Sequence, residues 1–455
     1  VKAHERKRQS GNVLDVVPEG TPTEVVEHRL PGNELTCSAC GSKLVEIGKE
    51  VRRSLMMKPA EFWVREDVYY TYACKNCEQE TDEANIVKAA KEPALLPGSF
   101  ASAEAVAYLA AQKFVMYSPL YRLEQEFNRQ GLRLSRQTMA NWLLNTSEKW
   151  LRPVYDALHE QLCREPVLHA DETTLQVLKE PGRSSTSKSY MWLYRTSGCA
   201  KQAVVLYEYQ PTRKAEHAET FLRGFNGWLH ADGYQGYHKL PGNIRVVGCW
   251  AHARRDFADA VKAADKKDPQ AVKQSVAYQA LQKIAGFYNI DTELKGLSSE
   301  ERLQKRQEVI RPMVEEFFAW VKQQAAECAV PPKSKTAQGL NFLINQEKYL
   351  KVFLEDGDVP IDNSASERAI RTFCIGKKNW MFHNTANGAN ASALVYSISE
   401  TAKLNNLRPY YYFKYILTEL PKRCDKQGNI DPAELDDLMP WSSELPDECR
   451  KPRRS

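Results

Sequence analysis

The chain has 455 residues, too many for a single hydrophobic core, so about two to four domains are expected. With 42% hydrophobic and 27% charged residues, and no apolar run near the roughly 18 that span a bilayer, composition excludes fibrous, broadly disordered and helical membrane classes. The net charge of +5, from 63 basic and 58 acidic residues, permits nucleic-acid binding without arguing for it. Four of the eleven cysteines fall in two close pairs, while Cys163, Cys199, Cys249, Cys328, Cys374, Cys424 and Cys449 are scattered singly. That usage is unlike a secreted disulfide framework and favours a reducing cytoplasm. The chain opens on Val1 rather than Met and has no signal-peptide pattern, which reads as a fragment or a processed product.

Residues 1–36 start with the basic "KAHERKRQ" and continue polar, with Pro and Gly, as a linker or arm. Over 37–90, Cys37-Ser-Ala-Cys40 and Cys74-Lys-Asn-Cys77 flank "EFWVREDVYYTYAC", which is expected to form a strand returning the second pair beside the first. Four thiolates suit tetrahedral Zn²⁺ and leave no open position, so the zinc of this ribbon is structural. Helices are expected in "SAEAVAYLAAQKF", "SPLYRLEQEFNRQ" and, after Gly131 and the cap Ser135, "SRQTMANWLLNTSEKWLRPVYDALHEQL". This module, 100–163, has helix-turn-helix-like spacing, which would turn Arg136, Gln137 and Asn141 to DNA. The plainer alternative is a three-helix packing unit; either way Leu120, Leu123, Phe127, Leu134, Met139, Trp142 and Leu143 form its core.

From 164 to 255 the pattern changes to strands: "PVLHADETTLQVL", "SYMWLYRT" and "KQAVVLYEYQ", then a helix "KAEHAETFLRGF", then "NGWLHADGY" and "NIRVVGCWAHARRDF". That order is expected of an RNase H-like mixed sheet. Residues 256–350 read as an all-helical insertion, 351–420 as the second part of the core, and 421–455 as a polar tail. The fold class is therefore α+β multidomain.

Two strand ends carry the same string, His-Ala-Asp, at Asp171 and Asp232. Neighbouring strands can bring two such carboxylates within a few ångströms, which is unfavourable unless a cation lies between them. Mg²⁺ or Mn²⁺, hard and oxygen-seeking, fits. A third carboxylate is supplied by "IDNSASERAIRTF", where Asn363, Glu367 and Arg371 are spaced by four along one helical stripe and Ala365, Ala369 and Phe373 along an apolar one. Asp171, Asp232 and Glu367 would complete a two-metal phosphodiester site. The plain alternatives are strand-end caps and a surface Glu–Arg pair worth a few tenths of a kcal/mol. No nucleophile elbow, P-loop or dinucleotide fingerprint follows a strand.

The paired Cys motifs, "SPLYRLEQEF", "LSRQTMANW", "HADETT", "ADGYQGY", "CWAHARRDF", "IDNSASERAIR", "GKKNWMF" and "SALVYSISETAKLN" together resemble the insertion sequence 66 family of DDE transposases, over nearly the whole chain. The resemblance implies Asp171, Asp232 and Glu367 as catalytic metal ligands for Mg²⁺ or Mn²⁺, and a helical insertion before the Glu at 256–350. It further implies double-stranded DNA as partner, both element ends and target, a homo-oligomer assembled on DNA, accessory proteins of the same element, and a bacterial, nucleoid-associated cytoplasmic location. Members of the family usually begin further upstream with a helical segment. By side-chain chemistry, Asn363 would bond a phosphate or a metal-bound water, and Arg368 and Arg371 DNA phosphates. His252 and Arg254 would reach the scissile phosphate, and Lys377, Lys378 and Trp380, read as a basic turn, would hold or stack on DNA. Competing readings are an RNase H-like nuclease that cuts without joining and a zinc-dependent DNA-binding protein with an inactive core.

Overall fold

A computed structural model describes residues 61–74, 85–264, 268–327, 330–425 and 427–452. The chain divides into two compact units, 1–91 with 452–455, and 92–451.

In the first unit, β1 (Thr71–Cys74) pairs antiparallel with β2 (Asn85–Lys88), with Cys74 opposite Asn85. The expected long strand is thus short: residues 61–70 form no regular element. Cys37, Cys40 and Cys77 lie outside the described residues, as do the arm and the first knuckle.

The second unit is built on a mixed sheet. Its strands are β3 (Val167–Lys179), β4 (Lys188–Thr196), β5 (Val205–Gln210), β6 (Gly227–Ala231) and β7 (Ile244–Gly248), in the order β5-β4-β3-β6-β7. The first three run antiparallel as hairpin neighbours, whereas β6 and β7 join parallel to β3. A short β8 (His383–Thr385) pairs with the far end of β3. Strand alternation gives each face its own cover. Tyr194 points to the face closed by the helix Ala215–Phe221, where its ring stacks on Phe221 at 3.9 Å. Tyr207 points to the opposite face, where its hydroxyl donates to the carbonyl of Ala369.

That second face is closed by two long helices, Ser364–Trp380 and Ala386–Leu404. The latter also blunts the sheet edge: Tyr207 N donates to Ser397 Oγ at 2.7 Å and Val205 N to Thr401 Oγ1 at 3.0 Å. Backbone groups that would otherwise template another strand are thereby satisfied.

The helices Leu120–Arg129 and Arg136–Thr146, joined through Gly131 at φ +85°, carry the expected core of Leu123, Leu134, Met139, Trp142 and Leu143. Their apolar faces belong to the same continuous core as the sheet, so this module is no free-standing packing unit. Nor does the segment after 421 trail away as a polar tail. Leu435, Leu438, Leu445 and Cys449 are buried in that core, and Leu407 bridges Arg450.

The helical segment from Arg255 to Leu350 builds a second core around Trp250, whose indole donates to Leu350 O at 2.9 Å and packs on Phe287 at 5.2 Å. Arg306, 2% exposed, ties this segment to the chain returning to the sheet. Its guanidinium bonds Asp291 Oδ1 at 2.8 Å and the carbonyls of Phe353, Asp356 and Val359 at 2.7–2.9 Å. Among the described residues no helix is long and apolar enough to cross a membrane.

Removing Arg306 strands a buried Asp291 carboxylate and three carbonyls. Arg306→Ala is therefore expected to lower stability by about 3–5 kcal/mol, read as an earlier urea-unfolding midpoint of the segment around Trp250.

Candidate active site

The repeated His-Ala-Asp string has a geometric basis. β3 and β6 pair in parallel with His169 opposite His230, so Asp171 and Asp232 follow two residues later at matching levels. The two imidazoles stack, with centroids 5.3 Å apart and planes 5° from parallel. Asn363 Nδ2 donates to Ala170 O at 2.8 Å, so its Oδ1 is the acceptor and His169 Nδ1 the donor across 2.7 Å. His230 Nε2 donates to Pro360 O at 2.9 Å. Burial holds both rings neutral, His169 pulled down to about 4 and His230 well below its ordinary value.

Asp171 is half-buried on the face closed by the helix Ser364–Trp380, and its Oδ1 accepts from Glu172 N at 2.8 Å. Burial first, then the carboxylates of Glu172, Asp232 and Glu367, push its carboxyl up to about 7. Asp232 Oδ1 accepts from Tyr234 N at 2.9 Å, and its Oδ2 lies 3.5 Å from Arg213 Nη2. The same guanidinium pairs with Glu172, through Nε at 2.6 Å, and lies 3.9 Å over the Tyr234 ring. Glu172 also accepts from the Tyr237 hydroxyl at 2.6 Å.

Glu367, in the first turn of its helix, lies 3.4 Å from His252 Nδ1 and 3.2 Å from Arg255 Nη2. Among the described residues, the side chains with three ligand atoms within 4.8 Å of one another are Cys249, His252 and Glu367. The carboxylates of Asp171, Asp232 and Glu367 are spread more widely.

Residues 98–391 match the family described as Transposase IS66 family, residues 34–78 the zinc-finger binding domain of transposase IS66, and residues 397–441 the IS66 C-terminal element. The chain belongs to the IS66 transposase family. It is also similar to proteins of Sinorhizobium fredii that are named as uncharacterized. With y4jD it shares 30% identity over 89% of this chain and 78% of that one, and with y4hP 28% over 89% and 73%. With y4qI identity is 29%, over 92% and 75%. Membership supports a transposase role with DNA as partner and a zinc-binding domain.

In this IS66-family chain several residues stand differently from expectation. Asn363 is 1% exposed, with both side-chain amide atoms committed to β3 and its backbone N–H donating to Cys249 Sγ at 3.1 Å. It positions the helix and is not a DNA contact. The buried stripe of that helix is Ser366, Ile370, Phe373 and Gly376, with Ala365 and Ala369 only half-buried. The string "GKKNW" is its last turns rather than a loop. Gly376 is required there, because a Cβ would meet the Tyr396 hydroxyl at 2.2 Å. Lys377 Nζ donates to Thr174 O, and Trp380 packs edge-on against Phe373 and His383, at 5.4 and 4.5 Å, so neither is a free DNA-facing group.

Arg254, Arg368, Arg371 and Lys378 are exposed, as are Arg136, Gln137 and Asn141, the last two bonded to each other at 2.9 Å. Sequence reasoning passed over Glu172, Arg213 and Arg195. Only Glu172 left a signal, as the acid directly after Asp171.

Asn363→Ala leaves the His169 N–H and the Ala170 carbonyl unpaired, at about 1–3 kcal/mol for each group. The expected outcome is a lowered thermal midpoint together with loss of DNA processing. Asp171, with an ordinary value of 3.8 and a folded value of about 7, favours folding while protonated. Its contribution is complete below its ordinary value and is lost as pH rises through 7. The thermal midpoint of the metal-free protein minus that of Asp171→Asn should therefore fall across that interval.

Proposed function

We propose that this chain is a DDE transposase that cuts DNA at the ends of an insertion sequence and joins the freed 3′ ends to target DNA. The observation that carries this reading is the register of β3 and β6. It brings Asp171, on β3, and Asp232, just after β6, to matching levels of neighbouring strands, which supports their acting as a pair. The strand order supports an RNase H-like core in two parts, 164–255 and 351–420, with the helical segment 256–350 as an insertion between the second Asp and the Glu. The Cys pairs support a zinc ribbon at 37–90, with Cys37, Cys40, Cys74 and Cys77 as ligands. The capped helix after Gly131 supports a helix-turn-helix-like use of Arg136, Gln137 and Asn141 on DNA.

The donor set fits Mg²⁺ or Mn²⁺: oxygen ligands, and a carboxyl pushed up by burial and then by its acidic neighbours, which a cation would bring down. Asp171, Asp232 and Glu367 would hold the ions. When bound, these supply a more acidic water or 3′-hydroxyl and charge neutralisation at the leaving oxygen. The chain's own part is positioning. Arg213 holds Asp232 through its side chain, Arg255 and His252 hold Glu367, and Arg254, Arg368, Arg371 and Lys378 are free to take DNA phosphates.

The test is incubation of labelled element ends and a target plasmid with Mg²⁺. Cleavage and joined product are expected from the wild type and neither from Asp171→Asn, Asp232→Asn or Glu367→Gln, each still binding DNA. Cleavage without joining would replace this reading by a nuclease, and binding without cleavage by a DNA-binding protein. Zinc, read by atomic absorption, should be lost in Cys74→Ser.

A further inference from the structure

Arg195 lies on β4 directly opposite His169, on the same sheet face as Asp171 and two strand residues, about 7 Å, from its level. It is half-buried. Its Nε donates to Thr196 O at 3.1 Å and its Nη1 to Ala365 O at 3.1 Å, which pins the guanidinium against the first turn of the helix Ser364–Trp380. Arg368 lies three residues on from Ala365, so about one turn further along the same side of that helix, and is exposed. The two positive charges repel, and each further disfavours a charge on His169.

Among the described residues no carboxylate lies within ion-pair distance of either guanidinium. Glu367, the adjacent acid in sequence, is turned to His252 and Arg255, and Asp362 accepts from Ser364 N at 2.9 Å. Two guanidiniums at the first turns of one 17-residue helix, near its positive end and with no carboxylate partner among the described residues, form an arrangement that an anion relieves. Arg195 retains Nη2 and Arg368 its whole fork for that anion.

We propose that Arg195 and Arg368 together form a subsite for a DNA phosphodiester, the phosphate adjoining the one placed at Asp171. The subsite rests on the reading of this chain as a DNA transposase and adds where the strand beside the cut is held. Arg195 supplies the fixed half of the clamp, because two carbonyls orient it before DNA arrives. Arg368 supplies the mobile half from the helix that carries Glu367. A strand seated there bridges β4 and that helix, so binding and alignment of the third carboxylate are coupled.

The test uses full-length Asp171→Asn protein without divalent ions and labelled element-end duplexes. Phosphates around the cut are replaced one at a time by uncharged methylphosphonates. One replaced position should weaken binding about tenfold, the scale of one charge-assisted contact. Arg195→Met and Arg368→Ala should each weaken the unmodified duplex by a similar factor and erase the sensitivity at that same position. Each should also reduce the slope of log K against log salt by about 0.9. Sensitivity left unchanged in both variants, or no sensitive position in the parent, overturns the subsite. Arg368→Ala alters an exposed side chain and decides the matter even if Arg195→Met fails to fold. Because the readout is binding, a protein that holds DNA this way yet never joins strands would overturn the transposase reading and leave the subsite standing.

Discussion

Asn363 is where the architecture of the site converges. Its oxygen accepts from His169, its amide donates to Ala170 O, and its backbone N–H reaches Cys249. One buried residue thus joins β3, the turn after β7 and the start of the helix bearing Glu367. Both partner segments lie more than a hundred residues of chain before it. A buried amide with all its partners met is costly to disturb, because each group it abandons is left dry and unpaired. The position of Glu367 relative to Asp171 therefore follows from a hydrogen-bonded core node rather than from the helix surface. The unusual cap agrees: Asn363 makes no side-chain bond to its own helix and sends that capacity into the sheet.

Around this node the charges are arranged in opposition. Burial first, then the carboxylates of Glu172, Asp232 and Glu367, push the Asp171 carboxyl up to about 7. The neighbouring cations are shared out unequally. Arg213 serves Glu172 and Asp232, Arg255 serves Glu367, and Asp171 has no cationic side chain within ion-pair distance among the described residues. In the proposed metal site Asp171 would therefore gain most from a cation, with Asp232 held by Arg213. On the same sheet face, Arg195 on β4 and Arg368 on the helix packed there have the converse surplus. Positive and negative excess within one site are the complement of a phosphodiester accompanied by metal ions.

Much of the sheet was legible because hydrophobic alternation and turn chemistry are local signals. β3 to β7 fall where the strings "HADETT", "SYMWLYRT" and "RVVG" place them, and the duplicated His-Ala-Asp marks matching register. The helix at 364–380 was legible as an element but not in its facing. Ala365 and Ala369 are small enough to sit at a boundary, while Ser366 is buried with its hydroxyl donating to Asn363 O and Gly376 for the close approach of Tyr396. Periodicity cannot reveal that a serine or a glycine is the inward residue. Arg213, Arg195 and the role of Asn363 were out of reach for another reason. Each works through partners that are distant in sequence, and a single sequence carries no record of such pairs. The long strand expected at 61–74 shows the opposite failure, since aromatic alternation there builds only four residues of ladder.

The helical segment between β7 and the Glu367 helix has a structural task that its charged composition hides. Its core closes on Trp250, the residue that opens the turn carrying His252 and Arg255, and Arg306 gathers the carbonyls of Phe353, Asp356 and Val359. The next residue, Pro360, gives its carbonyl to His230, and Ile361 gives its carbonyl to Trp250 N. From Arg306 to His230 the chain is therefore fixed at nearly every polar group. Packing far from the carboxylates sets where the third one enters. A helical segment placed at this point of the chain thus delivers a fixed return segment to the helix that carries Glu367.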